Sequence, residues 1–234
     1  MSRSVDDEVQ TALRAAGNCQ QLVPDRSIVF DRVRSRSSVA GGHPFDSWYH
    51  NRYRQSLIED EHLGRAPCYV SPTAGVFLTI GERDTERGIR AAMPAQPSAF
   101  TAGEENRVER MVGKPLGWRR RIDCTLDAHE APIVYTVLFK VPVDSQPEFD
   151  RWYGEEHIPL LLGCPQWVMS RRFDVGAVGG DGWTRLTLHY LTNVSALESP
   201  ERALGRRTPW RDRLVKQSWF PGENIVHYRA PAMM

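Results

Sequence analysis

Apolar positions along the chain fall into short runs with two different periods. The strongest run, residues 133–141 (I-V-Y-T-V-L-F-K-V), is dense in β-branched and aromatic residues and predicts a strand. Residues 148–163 come next, E-F-D-R-W-Y-G-E-E-H-I-P-L-L-L-G, with the three-and-four spacing of an amphipathic helix. Its predicted sheet-facing side carries Phe149, Tyr153, Glu156, His157 and Leu160. Pro159 lacks an amide proton, so the regular helix is expected to end there, with His157 in its last turn. Residues 167–175 and 183–192 predict two strands, joined as a hairpin by G-A-V-G-G-D-G. Thr208 and Pro209 open a further helix, and residues 224–229 predict a closing strand.

The first half is less regular. A helix is predicted over 4–17, capped by Ser4 with Asp7 three positions on and closed by Gly17. Strands are predicted at 27–33, 69–70, 76–80 and 119–126. Helices are predicted from Pro44 onward and over 104–112, with a polar loop over 81–103.

The two halves repeat. Phe45-Asp46-Ser47-Trp48-Tyr49 matches Phe149-Asp150-Arg151-Trp152-Tyr153 at an offset of 104 positions, and Arg107 matches Arg211 at the same offset. Leu78-Thr79-Ile80 matches Leu186-Thr187-Leu188 at an offset of 108. The expected organisation is a helical extension over 1–26 and two units over 27–127 and 128–234. Each unit would be one α+β, ferredoxin-like β-α-β-β-α-β fold. Such a sheet carries helices on one face only, so the sister sheet is the expected cover for the other.

Composition adds exclusions. The chain has 30 basic and 29 acidic residues, net +1, which points to no nucleic-acid partner. Its basic residues are mostly arginine, which suits carboxylate-bearing small molecules but is better explained by a GC-rich coding sequence. Cys19, Cys68, Cys124 and Cys164 are isolated, with no metal or redox spacing. The N-terminus, M-S-R-S-V-D-D-E, has no apolar run, and no window is long enough to span a membrane, so a cytoplasmic protein is expected.

The run F-D-R-W-Y-G-E-E-H-I-P-L-L, with G-C-P-Q-W-V and R-R-F after it, resembles the dimeric α+β barrel superfamily, and within it the EthD-like domains. The resemblance covers 133–229 well and 28–126 weakly. It implies two units in tandem forming a pseudo-dimeric α+β barrel, with a ligand between the helices and the sheet of one unit. The superfamily includes muconolactone isomerases, polyketide cyclases, cofactor-free monooxygenases, aldoxime dehydratases and haem peroxidases, so it implies a reaction only loosely.

His157 is the first candidate for chemistry, as a general acid or base; the alternative is a core histidine capping helical carbonyls. Tyr53 stands at the equivalent position of the first unit, which marks the second unit as the one that keeps the site; the opposite assignment would make Tyr53 or His50 catalytic. His189 and Tyr135 are further catalytic candidates. Tyr153, Arg171, Arg172, Trp183, His227 and Tyr53 are candidates for substrate binding, with an arginine clamping a carboxylate. No H-x-H or H-E-x-x-H spacing supports a metal shared by His157, His189 and His227, and no cofactor motif occurs. The expectation is a cofactor-independent isomerase or lyase acting on an unsaturated or ring-cleavage carboxylic acid, as a monomer or homodimer. The alternatives are a cofactor-free monooxygenase or dehydratase on phenolic substrates and a non-catalytic binding or stress protein.

Overall fold

A computed structural model of the chain describes residues 4–15, 19–22, 26–35, 67–71, 75–84, 106–178 and 182–230. The first helix, α1 (Val5–Ala15), forms as expected, with the Ser4 hydroxyl accepting from the Asp7 amide at 3.2 Å. Strands β1 (Cys19–Leu22), β2 (Arg26–Ser35), β3 (Cys68–Ser71), β4 (Val76–Asp84) and β5 (Asn106–Arg121) come next. The second half runs β6 (Ile133–Phe139), α2 (Gln146–Trp152), α3 (Ile158–Leu161), β7 (Trp167–Val178), β8 (Arg185–Leu191), α4 (Pro200–Gly205), α5 (Pro209–Leu214) and β9 (Glu223–Arg229). The helix expected from Pro44, and Tyr53 and His50 with it, lie outside the described residues.

All strand pairs are antiparallel, in the order β1-β5-β2-β4-β3-β9-β6-β8-β7, and β5 pairs with β7 as well. That ladder closes eight strands into a barrel and leaves β1 on the far end of β5, Cys19 opposite Arg121. Within each half the four strands stand in one order, fourth-first-third-second: β5-β2-β4-β3 and β9-β6-β8-β7. The halves meet through β5 with β7 and through β3 with β9, in each case a fourth strand against a second.

Closure explains why β6 and β8 are buried at every position. Val134 and Leu138 point into the barrel, where they pack with Phe30, Leu78, Met111, Phe173 and Leu188. Ile133, Tyr135, Val137 and Phe139 point outward, where α2, α3 and the turn between them cover them with Phe149, Trp152, Tyr153 and Leu161. The alternation of a half-exposed sheet is therefore absent, and the run reads as continuously apolar. On the helices' outer side, Val9 of α1 packs against Leu160 and Leu204.

One expected helix is a strand. Residues 106–112, within the helix expected over 104–112, form the start of the sixteen-residue β5, which also absorbs the start of the strand expected at 119–126. Glu109 and Met111 both face the barrel interior, at 4% and 0% exposure. A charged residue at a core position hides the two-residue period. Glu109 tolerates burial because Arg32, itself 1% exposed, donates to its carboxylate through Nε at 2.8 Å. Arg32 also meets Glu223 of β9, so this buried cation ties the two halves together.

Gly113 sits where β2, β5 and β7 meet, opposite Ile28 on one side and Val175 on the other. A Cβ there would stand 2.8 Å from Ile28 Cγ1 and 3.0 Å from Phe173 Cβ. The Gly113→Ala variant is expected to lose about 1–3 kcal/mol through overpacking at the seam, read as a lower midpoint in urea denaturation; an unchanged midpoint would refute this packing.

His227 faces the barrel interior at 0% exposure, with Nε2 3.3 Å from Thr136 Oγ1. Burial, then Arg32 and Arg34, push its pKa down to about 3. The unfolded ring takes a proton below about pH 6.5 and the folded ring does not. Its contribution to stability is therefore present above pH 6.5 and lost as pH falls toward 3. The His227→Asn variant is expected to flatten the dependence of unfolding free energy on pH by up to about 1.4 kcal/mol per pH unit in that window; parallel curves for variant and parent would contradict it.

Candidate active site

The F-D-R-W-Y motif divides its labour. Phe149 enters the packing between helix and sheet, at 5.0 Å from the Phe139 ring. Asp150 accepts from Arg185 Nε at 3.0 Å and also pairs with Arg172, while Arg185 Nη2 donates to Gln146 at 2.9 Å. Two sheet arginines thereby fix α2 on the outer face of the sheet. Trp152 and Tyr153 line a cavity beyond that anchor.

Between α2 and α3, over Tyr153–His157, the helix widens, and the Ile158 amide donates to the Tyr153 carbonyl five residues back. The helix continues through Pro159 to Leu161 instead of ending at the proline. The wide turn shifts the helical phase of the residues beyond it: Leu161 joins Tyr153 and His157 at the cavity, and Leu160 turns toward α1 and α4. His157 consequently lies beside a wide turn within the helix, and not in a last turn where the dipole would favour a cation.

The cavity holds about 360 Å3 and lies between the outer sheet face and the helices. Its inner wall is Tyr135, Trp152, Tyr153, Trp167 and His189, all buried. His157 is half-buried beneath them, with its ring 4.8 Å from Trp152 and 4.9 Å from Tyr153. Its Nδ1 is buried beside Gly205 and makes no hydrogen bond of ordinary geometry, while Nε2 is open to the cavity. Burial first, and Arg211 second, push the imidazole down to about 3, with Arg202 and Arg206 adding to that and the Gly205 backbone opposing it. At neutral pH the ring is an uncharged proton acceptor.

His189 is fixed in one form. Trp167 Nε1 can only donate, and it lies 3.2 Å from His189 Nδ1, which also meets Ser170 Oγ at 2.7 Å. Nδ1 is therefore the acceptor and the proton sits on Nε2, 3.1 Å from the Tyr153 phenol oxygen. Burial, then His157 and Arg202, hold His189 well below its usual range. The phenol accepts from His189, which leaves its own hydrogen for Thr187 or a ligand oxygen. Burial raises the Tyr153 pKa, so it stays a phenol.

Arginines stand at the mouth, but not the expected ones. Arg202, Arg206 and Arg211 line the cavity from α4, the turn after it and α5. Among the described residues none of the three has a carboxylate within ion-pair distance. Arg211 Nη1 donates to the Arg206 carbonyl at 2.8 Å, and Arg202 Nη1 donates to the Leu197 carbonyl. The structure places the expected clamp residues elsewhere: Arg171 is paired with Glu82 inside the barrel and Arg172 with Asp150. Trp183 packs on the interior cluster beneath Lys140, and His227 is also interior. His157, His189, Tyr135 and Tyr153 are the candidates brought together. His227 is across the sheet from His157 and His189, so the three cannot share an ion, and among the described residues no three metal-ligating side chains converge.

The arginine segment was missed because α4 carries only Leu204 as a large apolar residue, too little for a periodic signal. The spacing of Arg202 and Arg206, four apart and just before the Thr208 cap, was the available clue.

No protein-family model matches the chain, and no curated protein matches it by sequence. Solved structures do match in shape. An anthrone oxidase-like protein aligns at a TM-score of 0.65 with 10% identity, over 91% of this chain and 94% of its own. A mutant chlorite dismutase from Candidatus Nitrospira defluvii aligns at 0.51 with 12% identity, over 89% of this chain and 92% of its own. A ferredoxin-fold protein from Listeria monocytogenes, related to antibiotic biosynthesis monooxygenases, aligns at 0.48 with 11% identity, over 89% of this chain and 96% of its own. The likeness is one of fold: this chain is an antiparallel α+β barrel whose two halves share the ferredoxin-like strand order.

Proposed function

We propose that the chain is an enzyme that moves a proton on a flat, conjugated small-molecule acid, with His157 as the base. One observation carries this reading. An uncharged imidazole presents Nε2 to an aromatic-walled cavity whose mouth holds three arginines without carboxylate partners among the described residues. The aromatic walls suit a planar substrate, and the arginines suit its carboxylate. His157 then takes a proton from carbon, and the Tyr153 hydroxyl, held by His189, donates to the oxygen on which charge develops. Return of the proton at another carbon is isomerisation, and loss of a leaving group is a lyase step. The EthD-like motif at 149–161 and the shared strand order support a duplicated unit, divided at 127–128, whose second copy holds the site.

A second reading has a specific observation behind it. The inner wall of the cavity is almost entirely aromatic, and dioxygen is apolar. A carbanion formed there from a phenolic substrate could react with dioxygen directly, turning CH2 and O2 into C=O and water. The anthrone oxidase-like neighbour lends this reading its weight.

The His157→Gln variant is expected to lower kcat/KM about 10²–10⁴-fold on any unsaturated carboxylic acid the parent turns over. Turnover equal to the parent's would remove His157 from the mechanism. Oxygen uptake matching product one to one would replace isomerisation with the oxygenase reading.

A further inference from the structure

Resting on the proton-transfer reading, a second property arises from how the arginines are held. The groups facing His157 are Trp152, Tyr153 and Glu156 from its own helix, His189 and Tyr135 from the sheet, and Arg202, Arg206 and Arg211 from α4, α5 and the turn between. The one carboxylate in this set is already engaged: a single oxygen of Glu156 accepts from Trp152 Nε1 at 3.1 Å and from Thr208 Oγ1 at 2.6 Å. Thr208 is the cap of α5, and its oxygen also accepts from the Arg211 amide at 3.2 Å. The Glu156 bridge thus fastens the turn bearing Arg211 to the turn bearing His157. Hydrogen bonds to the carbonyls of Leu197 and Arg206 hold the guanidinium groups of Arg202 and Arg211 in place.

We propose that an anion bound at Arg202, Arg206 and Arg211 is what makes His157 an effective proton acceptor, so that the site works on substrates carrying their own negative charge. Burial is the first cause that opposes a cation at His157 and the positive charge of Arg211, Arg202 and Arg206 the second; an anion among the arginines removes the second. An imidazolium beneath the mouth in turn strengthens anion binding, because the coupling is reciprocal. A neutral analogue of the same shape fills the cavity and leaves the imidazole a weak base. Selection thus falls on the chemical step as well as on binding.

The test is an NMR titration of the histidine side chains in the full chain, with His157 assigned by the signals that vanish in His157→Gln. Saturating benzoate is expected to raise the His157 midpoint by one pH unit or more, equivalent to at least tenfold tighter benzoate binding to the protonated form. Benzamide, its uncharged isostere, is expected to leave the midpoint in place. The Arg211→Gln variant is expected to raise the midpoint of the unliganded protein and shrink the benzoate effect. Benzoate that binds without moving the midpoint, benzoate that fails to bind at millimolar concentration, or benzamide that moves the midpoint equally would each overturn the proposal. The proton-transfer reading fails separately, through full turnover by His157→Gln, and that result would leave the titration unaffected.

Discussion

Closure of the barrel through β5 and β7 is the constraint on which the rest of the molecule depends. It covers the inner face of β6 and β8 with the strands of the first half. The outer face of the same strands then becomes the floor of the layer beneath α2 and α3. Sheet arginines bind Asp150 and hold α2 at a fixed height. The wide turn at Tyr153–His157 then swings the imidazole over the floor. The cavity is the space left between an anchored helix and a sheet that cannot bend away.

The two sides of the sheet put their charges to different use. Inside the barrel, Arg32 with Glu109 and Arg171 with Glu82 are matched pairs of buried ions. Breaking such a pair costs more than its net worth, since one charge is left uncompensated. Outside, Arg202, Arg206 and Arg211 have no carboxylate partner among the described residues and stand next to a neutral imidazole. These three are partly or fully exposed, so water solvates them, and they stay available to a ligand anion. On that contrast rests the proposal that the outer arginines meet the substrate, while the inner ones hold the fold.

Much of the second half was legible in sequence because β6 is apolar on both faces and α5 opens on Thr208 and Pro209. Tyr153 and His157 were placed on one face by their spacing in the F-D-R-W-Y-G-E-E-H run, whereas Trp152 and Trp167, which complete the wall, were not singled out. Residues 106–112 were not, because Glu109 occupies a core position that no alternation rule anticipates. The phase shift after Tyr153 was not, since a period of 3.6 residues assumes four-residue hydrogen bonds throughout. Arg171 and Arg172 looked like a clamp because both stand on a strand. Only the fold shows that Glu82 and Asp150 reach them first.

The central claim is that the working pocket lies under α2 with His157 at its centre and the three arginines at its mouth. A crystal structure with bound benzoate tests it most directly. The account predicts a carboxylate on Arg202 or Arg211, with the benzoate ring against Trp152 and Tyr153 and within contact of His157 Nε2. Benzoate seated instead at the barrel end beside Arg26, Arg120 and Arg171, with the cavity beneath α2 unoccupied, would contradict it.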